Sequence, residues 1–287
     1  MVLIVACSKK EINTPVSKEI IHFDEYHGQK VSDPYRWLEN FTDDEVKEWV
    51  GLQNNYSQQF LKNRFQKSIK QDLELIWTSE YLSTPFKVGE KIFYYFNTGK
   101  LEQNRLMIRD CESCPERILI DPNDFSNDGT VSLASVSVSP NAEWIAFAKS
   151  DGGSDWRTWK IMNIASGEIL DDEIEWSKFS SAEWSPDSKG FFYRKYLKPD
   201  GEELLDLNSS PKLMFHSIGT DQINDQIIIW DKNDPLLSRS IKVSDDGQYK
   251  ILFTEKGTDE RNLISISRYD DEELLLSLMN LLQVIPS

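Results

Sequence analysis

Ser154, in Gly152-Gly153-Ser154-Asp155-Trp156, is the serine of this chain that comes nearest to a nucleophile elbow. That chemistry needs G-x-S-x-G, so that a strand can turn sharply into a helix and leave the hydroxyl exposed. The second glycine is missing and the flanking residues are strand-like, so Ser154 reads as a turn residue. A serine nucleophile also needs a histidine to take its proton. The candidates are His22, His27 and His216. The first two precede the first helical segment. The third follows a strand in Leu213-Met214-Phe215-His216, where a histidine is most simply a surface or satisfied packing residue. No residue is therefore assigned a catalytic role. The acidic runs Asp43-Asp44-Glu45, Asp171-Asp172-Glu173 and Asp270-Asp271-Glu272-Glu273 lack the glycine and regular alternation of a calcium loop. They read as solvated turns and helix starts, so no metal or cofactor site is assigned either.

Three cysteines remain. Cys111 and Cys114 bracket a C-x-x-C between two strand-like runs, with no second pair and no nearby histidine to complete four zinc ligands. The reading is a surface turn with incidental thiols; a local disulfide in an oxidising compartment is the first alternative, and a metal or redox site the second. Cys7 closes the apolar run Met1-Val2-Leu3-Ile4-Val5-Ala6 and precedes Ser8-Lys9-Lys10. A small residue before a cysteine at the end of an apolar segment resembles the cleavage site of bacterial lipoprotein signal peptides, although a positive start and a full-length apolar region are missing. Cys7 is thus a candidate lipidation site, the chain being periplasmic or membrane-anchored if it is used and cytoplasmic otherwise. No other segment approaches the roughly 18 apolar residues of a span, so any membrane association would run through that lipid.

Of 287 residues, 48 are acidic and 32 basic, for a formal net charge of −16. Such a surface repels phosphate backbones, which argues against nucleic acid as a partner.

The elements that would carry these residues change period along the chain. Residues 1–15 are the candidate signal remnant and a linker, and 16–80 read as a helical arm. Asp33-Pro34 makes a good helix start, the aspartate capping free amides and the proline giving up an N–H that had no partner. Thr42-Asp43-Asp44-Glu45 fits a capping box. Val46, Trp49, Val50, Tyr56 and Phe60 follow near one face, and Ile69, Leu73, Leu75 and Ile76 resume the pattern. From 81 to 268 the period falls to two, in short apolar runs divided by Gly, Asn, Asp and Pro. Within them a unit repeats: an apolar strand, a Ser-Pro or Ser-Asp turn, then an aromatic-rich strand. Its anchors Ser139, Ser185 and Ser244 stand 46 and 59 residues apart. Repeats of about 40–50 residues built from short strands are the signature of propeller blades. The fold class is mainly β, an incomplete propeller of about four blades behind a helical arm. Residues 269–287, leucine-rich on every side, read as an apolar helical tail.

Several stretches together resemble the prolyl oligopeptidase family of serine peptidases. They are Asp33-Pro34-Tyr35-Arg36-Trp37-Leu38-Glu39, the segment Trp49 to Tyr56, and Gly152 to Leu170. Glu175 to Tyr196, Leu213 to Trp230 and Val243 to Asn262 follow in the same order. The resemblance covers about residues 20–265 and implies a propeller of a seven-bladed type set between N-terminal helices and a C-terminal α/β-hydrolase domain. It also implies cleavage of short proline-containing peptides by a Ser-Asp-His triad on that hydrolase domain. None of the catalytic residues has a matching position among these 287. The expectation is the N-terminal portion of a proline-specific endopeptidase, inactive without its hydrolase domain. A free-standing peptide- or protein-binding propeller and a non-functional gene fragment are the alternatives.

Overall fold

A computed structural model describes residues 14–62, 64–199, 209–271 and 279–280. The chain divides into two units, Met1–Thr78 and Ser79–Ser287.

In the first unit a two-residue hairpin joins β1 (Phe23–Tyr26) to β2 (Gln29–Ser32). Both turn residues have positive φ, 53° at His27 and 77° at Gly28, the combination that matches the twist of paired strands. This hairpin lies inside what the sequence reads as helical arm. At Asp33-Pro34 the cap forms as expected, Asp33 Oδ1 accepting from Tyr35 N at 3.2 Å, but only one 3₁₀ turn follows, Arg36–Glu39. The helix α1 (Asp44–Leu61) starts one residue later than the capping box predicts, because Asp43 Oδ1 takes the Glu45 amide at 2.7 Å. Thr42 Oγ1 instead donates to Asn40 Oδ1. Trp37 and Trp49 meet edge to face at 6.4 Å, and their indole N–H groups donate to Lys18 O and Ser17 Oγ, each at 2.9 Å, tying down the extended segment before β1. The second helix, α2 (Arg64–Trp77), keeps Phe65, Ile69, Leu73 and Trp77 exposed.

The second unit is a series of antiparallel meanders. Blade 1 is β3 (Tyr81–Leu82), β4 (Phe86–Val88), β5 (Lys91–Asn97), β6 (Arg105–Arg109) and β7 (Glu116–Ile120), with β3 and β4 sharing the edge of β5. Blade 2 is β8 (Val131–Val138), β9 (Trp144–Asp151), β10 (Arg157–Asn163) and β11 (Ile169–Ser177). Blade 3 is β12 (Glu183–Trp184), β13 (Gly190–Lys195), β14 (Lys212–Ser217) and β15 (Gln226–Ile229). Blade 4 is β16 (Leu237–Val243), β17 (Tyr249–Lys256), β18 (Leu263–Arg268) and β19 (Met279–Asn280).

The repeated serines build one turn three times, between the first and second strands of blades 2, 3 and 4. Each serine amide donates to the carbonyl of the residue five ahead: Ser139 N to Trp144 O at 2.9 Å, Ser185 N to Gly190 O at 2.9 Å, Ser244 N to Tyr249 O at 3.0 Å. Each hydroxyl donates to the side chain two ahead, Asn141 at 2.7 Å, Asp187 at 2.7 Å and Asp246 at 2.6 Å. The residue three ahead turns left-handed in every case: Ala142, Ser188 and Gly247. The longer second spacing lies mostly in the connection between β13 and β14.

The core is the set of seams between blades. Phe93, Leu106 and Ile108 of blade 1 pack on Ile145, Phe147 and Met162 of blade 2. The alternate β9 residues Ala146 and Ala148, with Trp159, face Trp184, Phe191 and Met214 of blade 3. Phe192 and Leu213 meet Ile241 and Leu252 of blade 4. Each seam carries one or more polar ties, such as Arg117 Nη2 to Ile164 O at 2.7 Å, Trp184 Nε1 to Ser137 O at 3.0 Å and Val243 N to Glu183 Oε1 at 2.8 Å.

One expectation needs correction. Cys111 and Cys114 are joined as a disulfide, with Cα atoms 4.9 Å apart, and are not free thiols in a turn. The β6–β7 hairpin brings them together, Cys114 N donating to Cys111 O at 3.1 Å. The apolar helix expected over 269–287 falls mostly outside the described residues; of those described, Met279–Asn280 is strand, pairing with Leu263 and Ile264 of β18. Cys7 also lies outside the described residues.

Candidate functional site

The structure does not bring the candidate chemistry together. Ser154 sits in the β9–β10 hairpin turn, its N–H donating to Asp151 O at 2.9 Å and its Oγ accepting from Trp156 N at 3.1 Å. His22 is exposed beside Asp24, Nε2 3.2 Å from Oδ1, and His27 is the exposed hairpin turn residue. His216, on β14 in blade 3, has no solvent access, and both ring nitrogens face carboxylates. None of these groups is poised as nucleophile and base. Among the described residues no group of three His, Cys, Asp or Glu side chains could hold a metal ion.

What the sequence did not single out is a strained ridge between blades 2 and 3. The β10–β11 register passes from Arg157↔Ser177 to Trp159↔Ile174, so β11 carries one extra residue at its end. A bulge of this kind re-aims a side chain. Trp176 lies in it at φ 58°, and Phe179 just beyond at φ 46°. Bulky residues rarely enter the left-handed region, which costs about 1–2 kcal/mol each. The strain is held by neighbours. Tyr196 N donates to Trp176 O at 2.8 Å, and Arg157 Nη1 donates to Ser180 O at 2.7 Å. Trp156 stacks edge-on with Trp176 at 5.4 Å and with Tyr196 at 6.3 Å, and Lys178 Nζ lies 3.8 Å from its ring centre.

The ridge contributes to the walls of two cavities. A groove of about 660 Å³ on blade 2 is walled by Trp156 and Trp176, with Lys149, Arg157, Glu173 and Glu175 around it. A cleft of about 280 Å³ at the seam of blades 3 and 4 has the half-exposed Phe179 at its edge and Arg194, Arg239 and Glu255 along its walls. Aromatic faces beside paired charges suit a ligand with apolar rings and polar backbone groups; they offer no nucleophile. Trp176 and Phe179 carry no local signal for their backbone, since neither is glycine and the bulge depends on the neighbouring strand.

Antiparallel meanders of four or five strands, each packed face to face on its sequence neighbours and preceded by a helical unit, define the class as a propeller domain without a hydrolytic centre of its own among the described residues. The chain belongs to the prolyl oligopeptidase family: residues 15–285 match the family's N-terminal beta-propeller domain. It is similar to a prolyl endopeptidase of Elizabethkingia miricola, 35% identical over 260 residues that cover 90% of this chain and 37% of that one. Prolyl oligopeptidase A of Amanita bisporigera is 29% identical over 91% of this chain and 38% of its own. A solved prolyl endopeptidase superposes with a TM-score of 0.82 at 29% identity, covering 91% of this chain and 39% of that one. Prolyl oligopeptidase B of Galerina marginata, solved with a 35mer substrate, gives 0.77 at 25% identity over 93% of this chain and 40% of its own. The chain thus spans a little over a third of the length of the relatives it matches.

Proposed function

We propose that this chain forms the propeller-bearing part of a proline-specific serine endopeptidase, governing which peptides reach an α/β-hydrolase domain that supplies the reacting groups. The observation that carries this reading is the match of helical unit and blades, in order, to the N-terminal part of prolyl oligopeptidases. Acyl transfer needs a serine, a histidine, an aspartate and an oxyanion hole within hydrogen-bond reach. Here Ser154 is bound up in its turn and His216 is enclosed by two aspartates. The part left to this chain is recognition. The Trp176–Phe179 ridge offers aromatic faces for a proline ring, and Arg194 and Arg239 in the adjoining cleft offer donors for peptide carbonyls.

The chain alone should leave a Gly-Pro fluorogenic peptide uncut and should not react with a fluorophosphonate probe, its rate lying about 10⁴-fold or more below that of an intact triad. In one polypeptide with the part of the Elizabethkingia miricola relative beyond the match, which would bring the further blades and the hydrolase domain, it should cleave after proline. Turnover by the chain alone that Ser154→Ala abolishes would overturn the reading. Peptide binding that the hydrolase domain leaves unchanged would favour a free-standing binding propeller.

A further inference from the structure

We propose that His216 is held as an imidazolium between Asp172 and Asp225 and acts as a proton-dependent clasp on the seam of blades 2 and 3. Nδ1 lies 2.7 Å from Asp225 Oδ1, and Nε2 lies 3.0 Å from Asp172 Oδ2. The side chains of His216 and Asp225 are 0% exposed and that of Asp172 is 4% exposed. An ionised carboxylate only accepts hydrogen bonds, and a neutral imidazole has only one N–H. A neutral ring would therefore set a nitrogen lone pair against a buried carboxylate oxygen; the doubly protonated ring satisfies both.

The surroundings favour the cation. Asp172 comes from β11, its exposed neighbours Asp171 and Glu173 lying on the other face of that strand. Its Oδ2 also accepts Gly219 N at 2.7 Å, from the turn after β14. From β13, Tyr193 donates its hydroxyl to Asp225 Oδ2 at 2.6 Å, and Lys195 acts electrostatically on Asp225. The 3₁₀ turn Gln222–Asn224 supplies Gln222, whose Nε2 donates to Tyr193 Oη at 3.1 Å and to Glu175 O at 2.9 Å. The Phe191 ring closes the remaining side at 5.5 Å. Burial works against the charged ring, but the bonds to Asp225 and Asp172 outweigh it, and the His216 pKa is raised above its ordinary value.

A raised folded-state pKa makes the clasp's contribution complete below the free histidine value of about 6.5 and lost as pH rises through the folded value. Between the two, the unfolding constant should climb about tenfold per pH unit, because the folded chain holds a proton that the unfolded chain has released. Asp172 lies on the strand that carries Trp176 next to its last residue, so the same proton steadies the base of the strained ridge.

The experiment uses the full chain with nitrogen-15 in its histidines. At about pH 7.5, where free imidazole is mostly neutral, His216 should show both ring nitrogens protonated. The stability of the native chain should fall as pH rises above about 6.5, with a slope that His216→Gln removes. A neutral-tautomer spectrum for His216 at that pH, which would mean that a carboxyl carries the proton, overturns the proposal. So does a slope that His216→Gln leaves intact. Should that variant not fold, the ring nitrogens of the native chain decide the matter.

Discussion

Gly190→Ala adds one methyl group, and the structure says where it would go. A Cβ built on Gly190 would stand 2.2 Å from His216 O and 2.6 and 2.9 Å from Cζ and Cε1 of Phe215. Comfortable contacts lie near 3.5 Å, so β14 would have to move by about 1 Å against β13. Phe215 could swing, but the His216 carbonyl cannot: it belongs to the strand backbone that pairs Gly190 with Ser217 and Phe191 with His216. Gly190 does not have positive φ, so space alone is at issue. Overpacking of a core costs about 1–3 kcal/mol, and a backbone obstacle puts this case at the upper end, about 3 kcal/mol. For a unit of this size that is about 6–12 °C in melting temperature. Gly51→Ala is the control of opposite sign. Gly51 lies inside α1 with nothing within 4 Å of its added methyl, and alanine there should strengthen the helix by about 0.5–1 kcal/mol. Urea unfolding followed by tryptophan fluorescence measures the first, and helical circular dichroism the second. Gly190→Ala within about 0.5 kcal/mol of the native chain would refute the packing argument.

Phe179→Gly should keep or raise stability, since it removes left-handed strain worth about 1–2 kcal/mol from a half-exposed residue, while the chain joined to a hydrolase domain loses about tenfold in kcat/KM for a proline peptide. A stability loss with peptide turnover unchanged would assign Phe179 to packing alone. Hydrogen exchange should release blade 4 first, because its seam rests on Phe192, Leu213, Ile241 and Leu252, whereas the seam of blades 2 and 3 buries Trp159, Trp184, Phe191 and Tyr193. Uniform protection across the blades would contradict that order.

The blades were legible because their joining turn is chemical as well as geometric. A serine followed two residues later by Asn or Asp writes the same hydrogen bonds wherever it occurs, and Ser139, Ser185 and Ser244 could be read from spacing alone. Blade 1 lacks that serine and turns instead at Gly89, φ 57°, so only its strand period marked it. The β1–β2 hairpin was hidden for the opposite reason: Phe-Asp-Glu-Tyr and Gln-Lys-Val-Ser bury almost nothing, and an exposed ribbon has no apolar alternation to read. The spacing of Cys111 and Cys114 permits a disulfide without requiring one; the hairpin geometry decides it. His216 could be placed on a strand but not understood, since its partners Asp172 and Asp225 stand 44 and 9 residues away and meet it only when two blades pack.

The arrangement of the seams agrees with the division between recognition and reaction proposed above. A blade contacts only its neighbours, so side chains alternate between one seam and the next: Ile145 and Phe147 turn toward blade 1, Ala146 and Ala148 toward blade 3. The small residues sit where Trp159, Trp184 and Phe191 bring bulk, which is how close packing is reached without voids. Interior positions on this plan are taken by packing, and the turn serines and His216 are consumed there. The three turn serines spend their hydroxyls on their own loops, and His216 spends both nitrogens on carboxylates. A nucleophile needs a base with a free lone pair beside it and room for a tetrahedral centre. The seams provide neither. Among the cavities of the described residues, two are bounded by the bulge at Trp176 and the turn at Phe179. On the proposed function, such a surface would sort peptides by shape and ring content, with bond cleavage falling to the hydrolase domain.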